Sequence, residues 1–147
     1  MVALEASYAI SNRGPQIINS PEELDDLLNR MVTDGRQDGQ VPPLVELFCD
    51  TKDGWALAYI GVNVKRGTGF MTHSNPAGSV TSFNGTNDRS AVEYSYMGHL
   101  REIPANAEAP LDDVRKAAHE FFTSAGARPT CLTWQEDAEV ERPDASE

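Results

Sequence analysis

The sequence predicts an α+β fold: a mostly antiparallel sheet of about six strands with two helices packed on one face. Two amphipathic helix patterns lie towards opposite ends of the chain, and short strand patterns separated by turn residues fill the region between them. The predicted connections between strands are of hairpin length, whereas neighbouring parallel strands would need helical crossovers. The antiparallel arrangement is therefore the simplest one that fits the order of the elements.

Residues 110–134 predict one helix that stops and is followed at once by a strand. The apolar residues of the helix fall on a single stripe: Val114, Ala117, Ala118, Phe121 and Phe122. Pro110 and the aspartates after it suit a helix N-terminus, because proline needs no N–H there and carboxylates meet the positive end of the dipole. Gly126 is predicted as the left-handed stop and Pro129 prevents the helix from resuming, so 130–134 is interpreted as a short strand.

A capping box predicts the start of the first helix. Ser20 can accept a bond from the backbone three residues on, Pro21 fits the first helical position, and Glu23 can bond back. This helix is predicted to bury Leu24, Leu27, Leu28 and Met31. Strands are predicted at 2–10, 44–50, 55–64, 70–73, 91–98 and 99–103, with a tight hairpin turn at Asp53-Gly54.

Length and charge indicate one domain with an acidic end. At 147 residues the chain can bury a core without metal or disulfide support, and we expect a single domain over residues 1–135. The formal net charge is −11, and residues 136–147 carry six acids against Arg142. That composition is typical of a disordered, solubilising tail. An acidic body argues against nucleic acid as a direct ligand, because phosphate binding needs a concentrated basic face.

Sequence templates for catalysis and cofactor binding are missing. The chain contains no Gly-x-x-x-x-Gly-Lys loop, no His-Glu-x-x-His, no Gly-x-Ser-x-Gly and no Cys-x-x-Cys. We therefore expect no cofactor, no metal and no enzymatic activity. No apolar run has the length of a membrane span, and the first residues lack the pattern of a signal peptide. The sequence thus predicts a cytoplasmic protein without a membrane partner.

The cysteines and histidines are interpreted as structural residues. Cys49 and Cys131 lie in apolar strand patterns, where a free thiol packs as a small hydrophobe, and a disulfide between them is the alternative. His73 and His99 fall at predicted strand ends, where a histidine is ordinarily solvated. His119 follows the stripe of the second helix as a packing or boundary residue. Their spacing is not that of zinc ligands.

Residues typical of protein recognition are more prominent than catalytic ones. Strand alternation places Tyr94 and Tyr96 on one face and Glu93 on the other. Tyrosine and tryptophan anchor interfaces because they offer rigid area with a polar tip, and packing within the sheet is the alternative for each. The candidate binding residues are these aromatic residues and the carboxylates near them: Glu46, Asp50, Asp53, Trp55, Glu93, Tyr94, Tyr96 and Glu102.

The run EIPANAEAPLDDVRKAAHEFFTSAGARPTCLTWQ, residues 102–135, resembles the C-terminal signature of immunity protein family one from bacterial polymorphic toxin systems. That signature combines an EIP motif, an acidic residue near a proline, a helix ending in EF, a short Gly loop, RP and a strand ending in Trp. The resemblance implies a cytoplasmic antidote that binds, as a 1:1 complex, a toxin encoded by a neighbouring gene. The resemblance also implies that the toxin is a nucleic-acid enzyme, notably a zinc-dependent deaminase, with a nuclease as the alternative.

The resemblance and the composition together favour an immunity protein that inhibits its toxin by occlusion. A nucleic-acid enzyme presents a cationic groove to phosphates, and an acidic surface can fill that groove. Two alternatives stay open. One is a small enzyme or ligand-binding domain with a pocket near His73, His99 and Glu102, and the other is a secretion chaperone that binds the toxin without inhibiting it.

Overall fold

The computed structural model describes residues 3–8, 14–37 and 39–136. This part of the chain has two α-helices, α1 (Pro21–Gly35) and α2 (Leu111–Thr123). Its strands are β1 (Leu4–Ser7), β2 (Gln16–Ile18), β3 (Leu44–Thr51), β4 (Gly54–Asn63), β5 (Thr68–Asn75), β6 (Gly78–Ser82), β7 (Ala91–Tyr96), β8 (His99–Pro104), β9 (Ala109–Pro110) and β10 (Trp134–Glu136). A 3₁₀ turn, Ala105–Ala107, links β8 to β9.

The strands form one large sheet and one separate hairpin. The large sheet has the order β10-β6-β5-β4-β3-β1-β2, with β9 paired to β5, and β7 and β8 form the hairpin. All of these strand pairings are antiparallel, and both helices pack on one face of the large sheet. The α+β prediction is therefore confirmed. Strands β2, β6 and β9 have no predicted counterpart, because β2 and β9 are very short and β6 has the Gly and Ser content of a loop.

Helix α1 begins where the sequence predicts. The Ser20 hydroxyl accepts a hydrogen bond from the Glu23 N–H at 3.1 Å, and the Glu23 carboxylate accepts from the Asn19 N–H at 2.8 Å. These bonds satisfy N–H groups that have no partner within the helix. The predicted core residues of the helix are all buried: Leu24, Leu27, Leu28 and Met31.

Helix α2 buries its whole predicted stripe, but it ends differently. The left-handed position is taken by Ala125, with φ of 57°, one residue before the predicted Gly126. The Ala125 N–H donates to the Phe122 carbonyl at 3.2 Å. The Gly126 N–H donates to the Phe121 carbonyl at 2.9 Å, which completes a Schellman motif. Gly126 itself has φ of 103°, and a Cβ there would lie 2.7 Å from Cys49 Sγ, so only glycine allows this close approach to β3.

The final strand lies later in the chain than predicted. Residues 130–133 form a loop, and β10 begins at Trp134 and pairs with β6. The Glu120 carboxylate of α2 accepts bonds from the N–H and the hydroxyl of Thr130, so the start of this loop is held against the helix. Only its end meets the sheet, where the Phe83 N–H donates to the Thr133 carbonyl at 2.8 Å. Cys131 is consequently exposed, which corrects the prediction that it packs in a strand. Cys49 is buried as predicted, and both thiols are free.

The described residues include only part of each end of the predicted domain. Strand β10 includes Glu136, one residue beyond the expected domain end at 135. The rest of the predicted acidic tail, 137–147, lies outside the described residues. Of the strand predicted at 2–10, Leu4–Ser7 is formed, and residues 2, 9 and 10 also lie outside the described residues.

The β7–β8 hairpin covers part of the sheet face that the helices leave free. Tyr94 packs there in a second core with Leu44, Phe70 and Ile103, and the centroids of the Phe70 and Tyr94 rings are 4.8 Å apart. Gly61 of β4 leaves room for these rings, since a Cβ there would lie 2.3 Å from Phe70 and 2.7 Å from Tyr94. The remaining part of this face, on β3 and β4, is less covered.

Candidate protein-binding surface

One face of strands β3 and β4 remains partly exposed. Side chains alternate along a strand, so the neighbours of the buried Val45, Leu47 and Cys49 point away from the helices. We call this surface the open sheet face. Its residues are half-buried or exposed, and they are Glu46, Phe48 and Asp50 of β3 with Trp55, Leu57 and Tyr59 of β4.

The open sheet face places aromatic side chains directly beside carboxylates. Asp50 lies opposite Trp55 in the β3–β4 register, and Glu46 lies opposite Tyr59. Trp55 keeps 39% of its surface exposed, and the exposed Asp53 stands in the turn at the same end. Strands β1 to β6 contain no lysine or arginine, and the turn that carries Asp53 also carries the exposed Lys52. The strands therefore offer a surface that is both acidic and partly apolar.

Tyr96 joins the hairpin to the open sheet face. Its hydroxyl donates to Glu46 Oε2 at 2.7 Å, and its ring meets Tyr59 edge to face with centroids 6.0 Å apart. Arg101 of β8 lies over both rings, with Cζ 5.8 Å from the Tyr59 centroid and 5.6 Å from the Tyr96 centroid. Burial, together with the bond to Glu46, raises the pKa of Tyr96 to about 12.

Glu93 and Glu102 lie on a different surface. They are directly opposite each other on β7 and β8, and both are exposed. Because Tyr94 and Tyr96 face the large sheet, alternation turns Glu93 outward. Leu100 is on the same side with 59% of its surface exposed. We call Glu93, Leu100 and Glu102 the outer hairpin face, and the candidate residues are thus divided between it and the open sheet face.

Tyr94 is wholly buried, so the packing alternative holds for this residue and we leave it out of the binding surface. Its hydroxyl donates to Glu108 Oε2 at 2.8 Å, and the Thr68 hydroxyl donates to the same oxygen at 3.2 Å. Arg66 Nη2 lies 3.1 Å from Glu108 Oε1 and forms an ion pair with it. Burial and the nearby carboxylate raise the pKa of Tyr94 above its usual range. Glu108, which the sequence did not single out, therefore helps to fix the hairpin on the sheet.

His73 is buried inside β5, which corrects the prediction of a solvated strand-end histidine. The strand continues to Asn75, so the side chain lies within the pleat and points to the helix side of the sheet. His73 Nε2 lies 2.8 Å from the Gly126 carbonyl oxygen, which can only accept, so Nε2 carries a hydrogen. Burial lowers the pKa of His73, and its ring packs 5.8 Å from that of Phe121.

The other two histidines occupy separate places. His99 is exposed at the start of β8, as predicted. His119 is half-buried, and its Nε2 lies 2.7 Å from Asp25 Oδ1, which joins α2 to α1. The hydrogen bond from His119 keeps the pKa of Asp25 below its usual value. His119 is thus a boundary residue between the two helices, in agreement with its interpretation from the sequence.

The residues of the alternative catalytic or ligand pocket are not brought together. A cavity of about 690 Å³ beside His73 is lined by β5, β6, Arg128 and Glu136, and neither His99 nor Glu102 contributes to it. His99 and Glu102 belong to the hairpin on the other side of the sheet.

Within residues 3–8, 14–37 and 39–136, no three His, Cys, Asp or Glu side chains are grouped as metal ligands. Neither helix in those ranges is long and apolar enough to cross a membrane.

The fold and this surface define a class of protein: an α+β domain with an acidic, partly aromatic sheet face. Comparison with protein families makes the assignment specific, since the family described as immunity protein Imm1 matches residues 12–136, and the chain belongs to that family. The match confirms the resemblance noted at 102–135 and extends it over most of the sequence. No match was found among curated proteins. Membership gives the protein the role of an immunity protein, whose partner is a toxin.

Proposed function

We propose that this protein binds the toxin encoded by the neighbouring gene, as a 1:1 complex in the cytoplasm, and inhibits it by covering its nucleic-acid groove. The toxin in this proposal is a nucleic-acid enzyme, either a deaminase or a nuclease. The open sheet face carries the proposal. It combines the exposed Trp55 with the carboxylates of Glu46 and Asp50, on strands that contain no basic residue.

Charge complementarity supports a cationic partner. An enzyme that acts on nucleic acid concentrates lysine and arginine where it holds the phosphates. The present chain has a formal net charge of −11, and the open sheet face adds a local cluster of acids to that overall charge. Opposite charges accelerate the encounter of two proteins and orient them before contact. An acidic sheet seated in the groove would then exclude the substrate by occupying its place.

Side-chain chemistry supports a tight contact as well as a fast one. Trp55 is a large and partly exposed aromatic residue, the type that dominates binding energy when a partner buries it. Phe48 and Leu57 pair across β3 and β4 and extend the apolar area beside it. Asp50 and Asp53 lie at the edge of this area. An apolar centre with a polar rim is the usual arrangement of a protein interface.

The outer hairpin face is similarly acidic but lacks an aromatic anchor. Glu93 and Glu102 lie there beside Leu100, which is the one large apolar residue of the hairpin that is exposed. We therefore place the toxin on the open sheet face and not on the outer hairpin face. Because the two surfaces offer comparable charges, each variant of the first surface has a matched control on the second.

Co-expression with the neighbouring toxin domain tests the proposed function. We expect cells that produce this protein to survive the toxin, and the purified toxin to lose its activity at an equimolar ratio. A toxin from an unrelated pair serves as the control and should remain lethal. Copurification with full retention of toxin activity would instead support the secretion-chaperone alternative. Lethality in the presence of abundant soluble protein would contradict the proposal.

A further inference from the structure

Two tyrosine rings lie beside a guanidinium group at the edge of the open sheet face, and a glutamate is bonded to one of the tyrosines. Tyr59 and Tyr96 meet at an angle of 84°, and Arg101 lies within 6 Å of both ring centroids. Glu46 accepts a hydrogen bond from the Tyr96 hydroxyl, which fixes that ring and brings a carboxylate next to it. Two aromatic rings with an adjacent carboxylate are the groups that recognise the flat, cationic side chain of arginine.

The positive charge of Arg101 is unfavourable for binding the cationic toxin of the proposed function. Arg101 is exposed, and it belongs to the hairpin while the ring of Tyr59 belongs to the large sheet. It places a positive charge at the edge of an otherwise acidic face. A cationic toxin groove that approaches this face would be repelled by Arg101 and attracted by Glu46 and Asp50.

We infer that Tyr59, Tyr96 and Glu46 form a binding site for an arginine side chain of the toxin, and that Arg101 occupies this site in the free protein. This inference rests on the proposed function, because it assigns the chemistry of one contact within the same interface. On docking, the arginine of the partner replaces Arg101, which swings into solvent on its long side chain. Arg101 therefore competes with the partner for the site.

A purely structural role for Arg101 predicts the opposite sign. If Arg101 only fastened the hairpin to the sheet, removing its charge would loosen Tyr96 and weaken any contact made there. If Arg101 competes with the partner, removing its charge frees the two rings and strengthens that contact. Arg101→Gln is the appropriate change, because it keeps much of the side-chain stem while abolishing the charge. Arg101→Lys is a second variant that keeps the charge but loses planar stacking.

The site can be tested without the toxin, with N-acetyl-arginine amide as the probe. NMR titration that follows the ring signals of Tyr59 and Tyr96 should show the probe binding Arg101→Gln about five-fold more tightly than the wild type, as expected for contacts with two half-buried rings. The matched citrulline amide, which lacks the charge, should not bind. Equal affinity in both proteins, or no saturable shift in Arg101→Gln, would overturn the inference.

A double-mutant comparison with a catalytically inactive toxin domain extends the test to the interface. We expect Arg101→Gln to bind the toxin about two- to five-fold more tightly, and Tyr59→Leu to remove that gain. A loss of affinity in Arg101→Gln, with an unchanged melting temperature, would overturn the inference while leaving toxin binding intact. Failure of the wild type to bind the toxin at all would instead overturn the proposed function, and the arginine probe would still decide whether the site exists.

Discussion

Replacing Phe121 by alanine is expected to lower the free energy of unfolding by about 3–5 kcal/mol, because the change removes a buried aromatic ring and leaves a cavity. Phe121 has no exposed surface and lies in the core between α2 and the large sheet. Its ring packs against His73, and its carbonyl accepts the bond that ends the helix. Urea unfolding followed by circular dichroism measures the effect.

Trp134→Ala is the matched aromatic control. Trp134 is only half-buried, although its Nε1 donates to the Pro129 carbonyl at 2.9 Å. Trp134→Ala should therefore lower the free energy of unfolding by less than Phe121→Ala, because less of the Trp134 side chain leaves water on folding. An unchanged unfolding midpoint for Phe121→Ala would contradict the description of α2 and the sheet as one core.

Replacing Trp55 by alanine is expected to weaken toxin binding about 30-fold or more, which corresponds to about 2 kcal/mol, the threshold of an interface hot spot. Trp55 lies opposite Asp50 and beside the turn that carries Asp53, at one end of the charged and apolar area that we assign to the contact. The free energy of unfolding should change little in comparison, because the ring is 39% exposed in the free protein. Isothermal titration with the catalytically inactive toxin measures the affinity.

Leu100→Ala provides the control on the outer hairpin face. Leu100 is more exposed than Trp55, so its removal also deletes accessible apolar surface, but on the side that we place outside the contact. We expect the affinity of Leu100→Ala to stay within about two-fold of the wild type. A larger loss for Leu100→Ala than for Trp55→Ala would move the interface to the hairpin.

The helices were predictable because their signals are local. The Ser20 capping box and the stripe that ends at Phe122 each lie within a few turns of one helix, and both take the predicted form. Strands β3, β4 and β5 of the central meander were predictable for the same reason, since a turn and its flanking apolar runs are close in sequence. The loop after α2 was not, because the bond between Glu120 and Thr130 competes with strand pairing at 130–133.

Burial of individual polar residues depended on partners far along the chain. His73 is bonded to Gly126, 53 residues away, and Glu108 is bonded to Thr68, 40 residues away. A single sequence does not show which distant carbonyl or hydroxyl will be there to satisfy a buried group. The only local sign that Glu108 is buried is its place in a run of small residues. Nothing local distinguishes His73 from a solvated histidine.

The candidate site was predicted in composition but not in arrangement. Alternation correctly separated Glu93 from Tyr94 and Tyr96 within their strand. The packing of the hairpin on the large sheet buries Tyr94 and turns Glu93 and Glu102 away from Trp55. This docking depends on the contact of Tyr94 with Phe70 over Gly61, which joins residues from separate elements. No pattern within β7 or β8 specifies that contact.

The central claim is that the open sheet face receives a cationic toxin, and the dependence of the association rate constant on ionic strength tests it most directly. Three proteins are compared against the catalytically inactive toxin: the wild type, Asp50→Lys with Asp53→Lys, and Glu93→Lys with Glu102→Lys. Both double variants change the net charge by the same amount, so only the position of the charge differs. We expect the Asp50 and Asp53 pair to slow association about ten-fold at low salt and to flatten its salt dependence, while the Glu93 and Glu102 pair has a much smaller effect. Equal slowing by both pairs, or a wild-type rate that does not depend on salt, would contradict the claim.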